Sequence, residues 1–270
     1  MTSSEERRYS VSQIQTYLGC PLKYRFQYLD QLPKAFRPAA LAFGGSIHSA
    51  IEWFHRCRMK GASPPLEEVL KVFEADWFAQ NLDPLQFHLS ETKEGLGAKA
   101  RAMLAVYLEA SNGCRPVAVE EPFSLEIADP ETGECLDVPF RGFVDLVEED
   151  GTLVDLKTAA RAASQDDVER HLQLSTYALA VYLRTGEVPK LRLDVLLKTS
   201  RPRLERLTTS RTVKDLAWVA RLIERATHAI EDGHFFPNPS WRCSDCEYQM
   251  PCQAWRGEPG RSFVPLASIS

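Results

Sequence analysis

No apolar run in this 270-residue chain approaches the roughly 20 residues that a membrane-spanning helix needs. The opening stretch Met1-Thr-Ser-Ser-Glu-Glu-Arg-Arg8 lacks the apolar core of a secretory signal, so a cytoplasmic protein with no membrane partner is expected. There is no internal repeat and no low-complexity linker, which removes solenoid and array architectures. A nucleotide-driven motor is not expected either, because Gly44-Gly45-Ser46 lacks the G-x4-G-K-S/T spacing of a P-loop. The seven cysteines are an odd number in a mid-sized chain, which suits reduced thiols and metal ligands better than a disulfide framework. What remains, 44% hydrophobic and 26% charged residues, is the composition of an ordinary globular protein.

A large positive charge is also missing, since the net charge is −5. Its distribution tells more than its sum. Residues 1–60 carry nine Lys/Arg against four Asp/Glu, residues 61–156 six against twenty, and the remainder seventeen against thirteen. Within Lys190–Lys214 there are eight basic residues, with Asp194 and Glu205 as the acids. Phosphate binding depends on a local basic face rather than on total charge, and a merely solvated polar surface is the alternative reading.

The hydrophobic period changes along the chain. Ser12 is placed to cap a helix through Ile14, Tyr17 and Leu18, and Gly44-Gly45-Ser46 to open a second one. Helical patterns also cover about Leu66–Ala79 and Gly97–Ala110. Strand patterns follow at Val117–Ile127, Val138–Glu148 and Thr152–Lys157, separated by the turn signals Pro130-Glu-Thr-Gly133 and Asp150-Gly151. One long helix over about Val168–Arg184, strands at Leu191–Lys198 and Arg203–Thr209, and a strongly amphipathic helix at Val213–Glu231 complete the pattern. The expected fold is mixed α/β, a small mixed sheet flanked by helices. A helical part (about 10–112), a core (about 115–233) and a cysteine-bearing tail (about 234–256) together form one domain over 1–270.

Two features carry chemistry. The first is Asp145 in one strand, with Asp155 and Lys157 in the next, across the Asp150-Gly151 turn. Asp155 and Lys157 are two residues apart, so they leave the same face of their strand. Paired carboxylates with an ammonium suit metal-assisted phosphodiester hydrolysis, with Mg²⁺ or Mn²⁺ on oxygen ligands. A solvated, salt-bridged hairpin has the same pattern. Against that reading, Asp155 stands between Val154 and Leu156 in an apolar strand, where burying it is costly without a cation. Glu120 and Glu121 are read as supporting or surface groups. His48, Glu52 and His55 at i, i+4 and i+7 could imitate a zinc site on one helical face.

The second feature is Cys243-x2-Cys246-x5-Cys252, with Cys20 as its natural distant fourth. A zinc ribbon would show two C-x2-C pairs, and only one is present. Four thiolates suit a 4Fe–4S cluster. Such a staple would hold the basic-aromatic stretch Lys23-Tyr-Arg-Phe-Gln-Tyr28 against Trp241, Arg242 and Trp255. Those aromatics either stack unpaired bases or only pack around the cluster.

Taken in order, Ser12-x2-Gln15-x-Tyr17-x2-Cys20-Pro21, Gly44-x3-His48, Glu121-Pro122, Gly142-x2-Asp145, Asp155-x-Lys157-Thr158, Gln173-x3-Tyr177 and the cysteine run resemble the RecB-like exonuclease branch of the PD-(D/E)XK nuclease superfamily. The resemblance spans about residues 10–255. It implies that His48, Asp145, Asp155 and the carbonyl of Leu156 hold a divalent metal and that Lys157 is the catalytic lysine. Gln173 and Tyr177 would position DNA and the lysine. The cysteines would bind iron–sulfur rather than zinc. The second acid is Asp155 where many relatives have Glu. The implied activity is metal-dependent exonucleolytic hydrolysis of single-stranded DNA ends, with unwinding left to a helicase partner. Alternatives are trimming of spacer precursors beside an integrase, as in the related CRISPR-adaptation subgroup, and a non-cutting DNA clamp.

Overall fold

The structure, a computed structural model, describes residues 8–80, 84–87 and 91–257, so most of the opening stretch read above lies outside the described residues. Strand β1 (Tyr9–Ser10) leads into α1 (Val11–Gly19), and the cap is Ser10, whose hydroxyl accepts the Gln13 N–H, two residues before the expected Ser12. The chain meets β1's partner strand at Tyr9 and Ser10, and that pairing sets where the helix can start. Pro21 opens α2 (Pro21–Tyr24), which continues as a π-helical turn (Arg25–Leu29). After β2 (Arg37–Pro38), helix α3 runs from Ala39 to Met59, straight through Gly44 and Gly45 rather than starting there. Gly44 has a packing reason instead: a Cβ there would lie 2.9 Å from the Thr158 hydroxyl. Helix α4 (Leu66–Gln80), β3 (Leu85–Gln86) and α5 (Lys93–Ala110) complete the helical part.

The sheet follows the expected strands closely: β4 (Pro116–Ala128), β5 (Cys135–Glu148) and β6 (Leu153–Ala159). The single long helix expected next is two. Helix α6 (Gln165–Glu169) stops at Arg170, and α7 (Leu172–Thr185) restarts with His171 as its extended N-cap. Strands β7 (Leu191–Leu197) and β8 (Arg203–Thr209) precede α8 (Val213–Glu231), whose Thr212/Asp215 capping box and buried Leu216, Val219, Ile223 and Ile230 stripe account for its length. A 3₁₀ turn (Trp241–Asp245) and α9 (Gln249–Gly257) end the described chain. No helix among the described residues is long and apolar enough to cross a membrane.

The six-stranded sheet is mixed. β4 and β8 are antiparallel to their neighbours β5 and β7, while β6 and β7 run parallel across the α6–α7 connection. β5 is antiparallel to β4 along one side. Its other side is shared, by β1 at Phe140 and Arg141 and by β6 at Leu146 and Val147. Alternation along β7 fills two cores. Leu193, Val195 and Leu197 pack with α1, α7 and α8, and Leu196 packs with α3, α4 and α5 on the other face. A satellite core of Leu22, Phe26 and Tyr248 joins the tail to α2.

Candidate active site and thiol pocket

The site forms where β5 and β6 part. Their ladder holds at Leu146–Val154 and Val147–Leu153 and goes no further. At the next step Leu156 N–H donates to Asp145 Oδ2 (2.8 Å), so a carboxylate replaces the backbone acceptor. The opening lets Asp145 reach both helical layers. His48 of α3 lies 3.1 Å from Oδ2, and the Tyr177 hydroxyl of α7 donates to Oδ1 at 3.2 Å.

From Asp155 a second chain of contacts returns to the same point. The Lys157 ammonium donates to Asp155 Oδ1 (2.8 Å) and to Gln173 Oε1 (3.0 Å), and the Gln173 amide donates to the Tyr177 hydroxyl (2.6 Å). Asp155 is fully buried, and its Oδ2 has no hydrogen-bond partner. An ionised oxygen in that state is expensive. Burial pushes the Asp155 carboxyl up to about 6, against the pull of Lys157. Burial also works against ionisation of Asp145, but the His48 hydrogen bond, the nearby positive charges and the Leu156 N–H hold it below the usual carboxylate range.

Glu120 belongs with these groups more closely than the sequence indicates. Its carboxylate lies 3.4 Å from His48 Nδ1. His48, Glu120 and Asp145 are the group among the described residues whose ligand atoms all fall within 4.8 Å of one another. The pairs Val119–Leu146 and Glu121–Val144 leave Glu120 opposite Asp145, and its φ of 50° is in the left-handed region, rare for a residue with a side chain. Burial opposes a charge on His48, yet Asp145 and Glu120 together hold its pKa above the ordinary value. A buried unpartnered oxygen beside oxygen and imidazole donors is a set that fits a hard divalent ion.

His171 was not singled out in the sequence. Its Nδ1 accepts the Leu174 N–H (3.4 Å) as the α7 cap, and its Nε2 stands 3.9 Å from Asp155 Oδ2. Burial, then Lys157, lowers its pKa to about 4, so it is neutral. The i, i+4, i+7 set on α3 does not converge: His55 is buried against the Tyr107 hydroxyl (2.8 Å), and Glu52 pairs with Arg56 (2.9 Å). The basic run is also mostly occupied. Lys190, Arg192, Lys198, Arg203 and Arg206 have carboxylate partners, and Arg211 is hydrogen-bonded to Ser175 and to the Val168 carbonyl.

Cys20, Cys243, Cys246 and Cys252 do come together, lining a cavity of about 190 Å³. No three of the sulfurs lie within 4.8 Å of one another. Tetrahedral zinc, with Zn–S near 2.3 Å, would need them about 3.8 Å apart. The Ser240 N–H points at Cys243 Sγ (3.4 Å). Around the thiols the tail is tied down by Leu22 N–H to the Phe236 carbonyl (3.0 Å), Lys23 to buried Glu247 (2.8 Å), and Phe26 against Tyr248 (6.0 Å). Trp241 is 78% exposed, with the Arg242 guanidinium over its ring at 5.3 Å.

A solved structure from Eubacterium rectale, of a protein named as a candidate exonuclease, is similar with a TM-score of 0.59 at 16% identity, covering 94% of this chain and 93% of that chain. Likeness at that identity shows the fold alone. A second solved structure, SSO0001, has a TM-score of 0.38 at 12% identity over 90% of this chain and 95% of that one, too weak to support a conclusion. No curated protein matches the chain significantly. The pattern of one nuclease superfamily, by contrast, matches residues 8–253, nearly everything the structure describes. With a central mixed sheet of restriction-endonuclease-like form and acids where its strands part, the chain belongs to the PD-(D/E)XK nuclease superfamily.

Proposed function

We propose that this chain is a metal-dependent exonuclease of RecB-like type that hydrolyses single-stranded DNA ends and carries a 4Fe–4S cluster on its four grouped cysteines. The observation that carries the nuclease reading is the hydrogen-bonded chain Asp155–Lys157–Gln173–Tyr177–Asp145 beside a buried carboxylate oxygen with no hydrogen-bond partner. His48, Asp145, Asp155 and the Leu156 carbonyl, with Glu120 beside them, would hold Mg²⁺ or Mn²⁺. When bound, that ion polarises the scissile phosphate and makes water acidic enough to attack it.

The protein's own groups do the positioning. Lys157, half exposed and anchored at two points, presents its ammonium where negative charge develops on the phosphate oxygens. Gln173 fixes Lys157 from one side and Tyr177 from the other, and Tyr177 also orients Asp145. For the tail, the gathering of Cys20, Cys243, Cys246 and Cys252 around one cavity supports the cluster reading. Its role is to brace α2 and the tail beside the cleft.

The test is cleavage of end-labelled single-stranded DNA by anaerobically purified protein with Mn²⁺ or Mg²⁺, beside its Asp155→Ala variant. Metal-dependent cutting that disappears in the variant supports the assignment, and the labelled products give the polarity. Binding without cutting by cluster-loaded wild type would replace it with the clamp reading.

A further inference from the structure

On the face of the sheet that presents Asp145, β4 and β5 form three successive cross-strand rows. Glu120 lies opposite Asp145, Pro122 pairs with Phe143, and Ser124 pairs with Arg141. Side-chain alternation puts residues 141, 143 and 145 on one face. Gly142 points the other way, where a Cβ would lie 2.5 Å from the Phe123 ring. Phe143 is 55% exposed, and it lines the same cleft of about 970 Å³ as His48 and Asp145. Arg141 and Arg8 line that cleft too, and neither has an ion-pair partner among the described residues. The basic run at Lys190–Lys214 differs in this respect, since its charges are mostly neutralised within the fold.

We infer that Phe143 and Pro122 form a shelf for one unpaired base of the substrate, between a phosphate held at the acidic row and the phosphate two steps along, held by Arg141 and Arg8. The inference rests on the nuclease reading above. Rows on one face of a strand repeat about every 7 Å, comparable with the step from phosphate to phosphate in an extended single strand, so the two rows from Asp145 to Arg141 span about two such steps. An aromatic face beside free arginines is the recognition chemistry of a single-strand groove, and it accepts any base because every base has a π-face. A base still paired in a duplex cannot lie on the shelf. The shelf therefore selects unpaired ends, and it does so at the nucleotide next to the cleaved bond.

The experiment uses full-length, cluster-loaded protein and fluorescein-labelled oligodeoxynucleotides that carry one abasic nucleotide at successive positions from each end. Phe143→Ala raises KM about tenfold with kcat little changed, and Phe143→Trp restores it. In wild type one abasic position gives a similar loss, and combining it with Phe143→Ala adds nothing. Losses that simply multiply, or an unchanged KM in Phe143→Ala, overturn the shelf. Anisotropy titrations in Ca²⁺ measure the same coupling without hydrolysis. A protein that never cuts, yet shows the coupling, rejects the exonuclease reading and keeps the base site.

Discussion

The acidic cleft and the thiol pocket are both candidate metal sites, and they are built by opposite means. In the cleft every donor is seated on a long, well-packed element, and Asp155 keeps an unpartnered oxygen at zero exposure. The fold holds that charge in place at a cost to its own stability. In the thiol pocket Cys243 is exposed, and the surrounding core is little more than Leu22, Phe26 and Tyr248. There the bound group would hold the fold together rather than the reverse. A preorganised site is ready for chemistry, whereas a bound group that joined these two distant segments would be structural.

That contrast breaks most visibly at Cys20. Cys20→Ser should abolish the visible absorption of the cluster and lower unfolding stability by up to about 5 kcal/mol, from the long loop between residues 20 and 243 that the cluster would close. Anaerobic denaturant titration measures the loss, and an unchanged midpoint would remove the staple from the account.

Asp155→Asn should act in the reverse direction, losing at least about a hundredfold in cleavage while gaining stability. The folded Asp155 binds its proton up to a pKa of about 6, above its ordinary 3.8. Between those values the folded state holds the extra proton, so stability falls as pH rises through the window. At neutral pH the variant should therefore be more stable by at most about 3 kcal/mol. The gain should shrink as pH falls below 6, when wild-type Asp155 also becomes neutral. Paired thermal melts at pH 7 and pH 5 without divalent metal read this directly, and a gap that widens at pH 5 reverses the argument.

Smaller effects sharpen the cleft itself. Gly142→Ala places a methyl in the Phe123 ring, which packs edge-on against Tyr177 at 6.3 Å, and should cost about 1–3 kcal/mol in chemical unfolding. Gln173→Ala frees both Lys157 and Tyr177, and its cleavage rate should drop roughly 10- to 100-fold while the melting temperature barely moves. A large loss of stability in that variant would make Gln173 a packing residue instead.

Much of this was readable from local pattern. Strands β4 to β8 and helices α4, α5 and α8 lie close to where periodicity and turn residues place them, because each is specified by contacts near in sequence. Asp155 and Lys157 share a face by the pleat alone, and the tight turn at Gly151, with φ of 81°, brings Asp145 alongside. The boundaries that moved did so for non-local reasons. The α1 cap follows from β1 pairing with β5, and Gly44 stands inside α3 where a Cβ would meet Thr158, more than a hundred residues on.

By itself, the sequence determined the inventory of chemistry: the paired acids with their lysine, the Gln173–Tyr177 spacing, and four cysteines at two ends of the chain. Residue type and short spacing suffice for those. Only the tertiary structure decided that Glu120 stands opposite Asp145, that His171 interrupts a helix and faces Asp155, and that the basic run is largely neutralised while Arg141 and Arg8 have no ion pair among the described residues. Each of these depends on strand register or on a partner far along the chain. Such pairings are settled by packing the whole sheet between its helices, not by any short stretch of sequence.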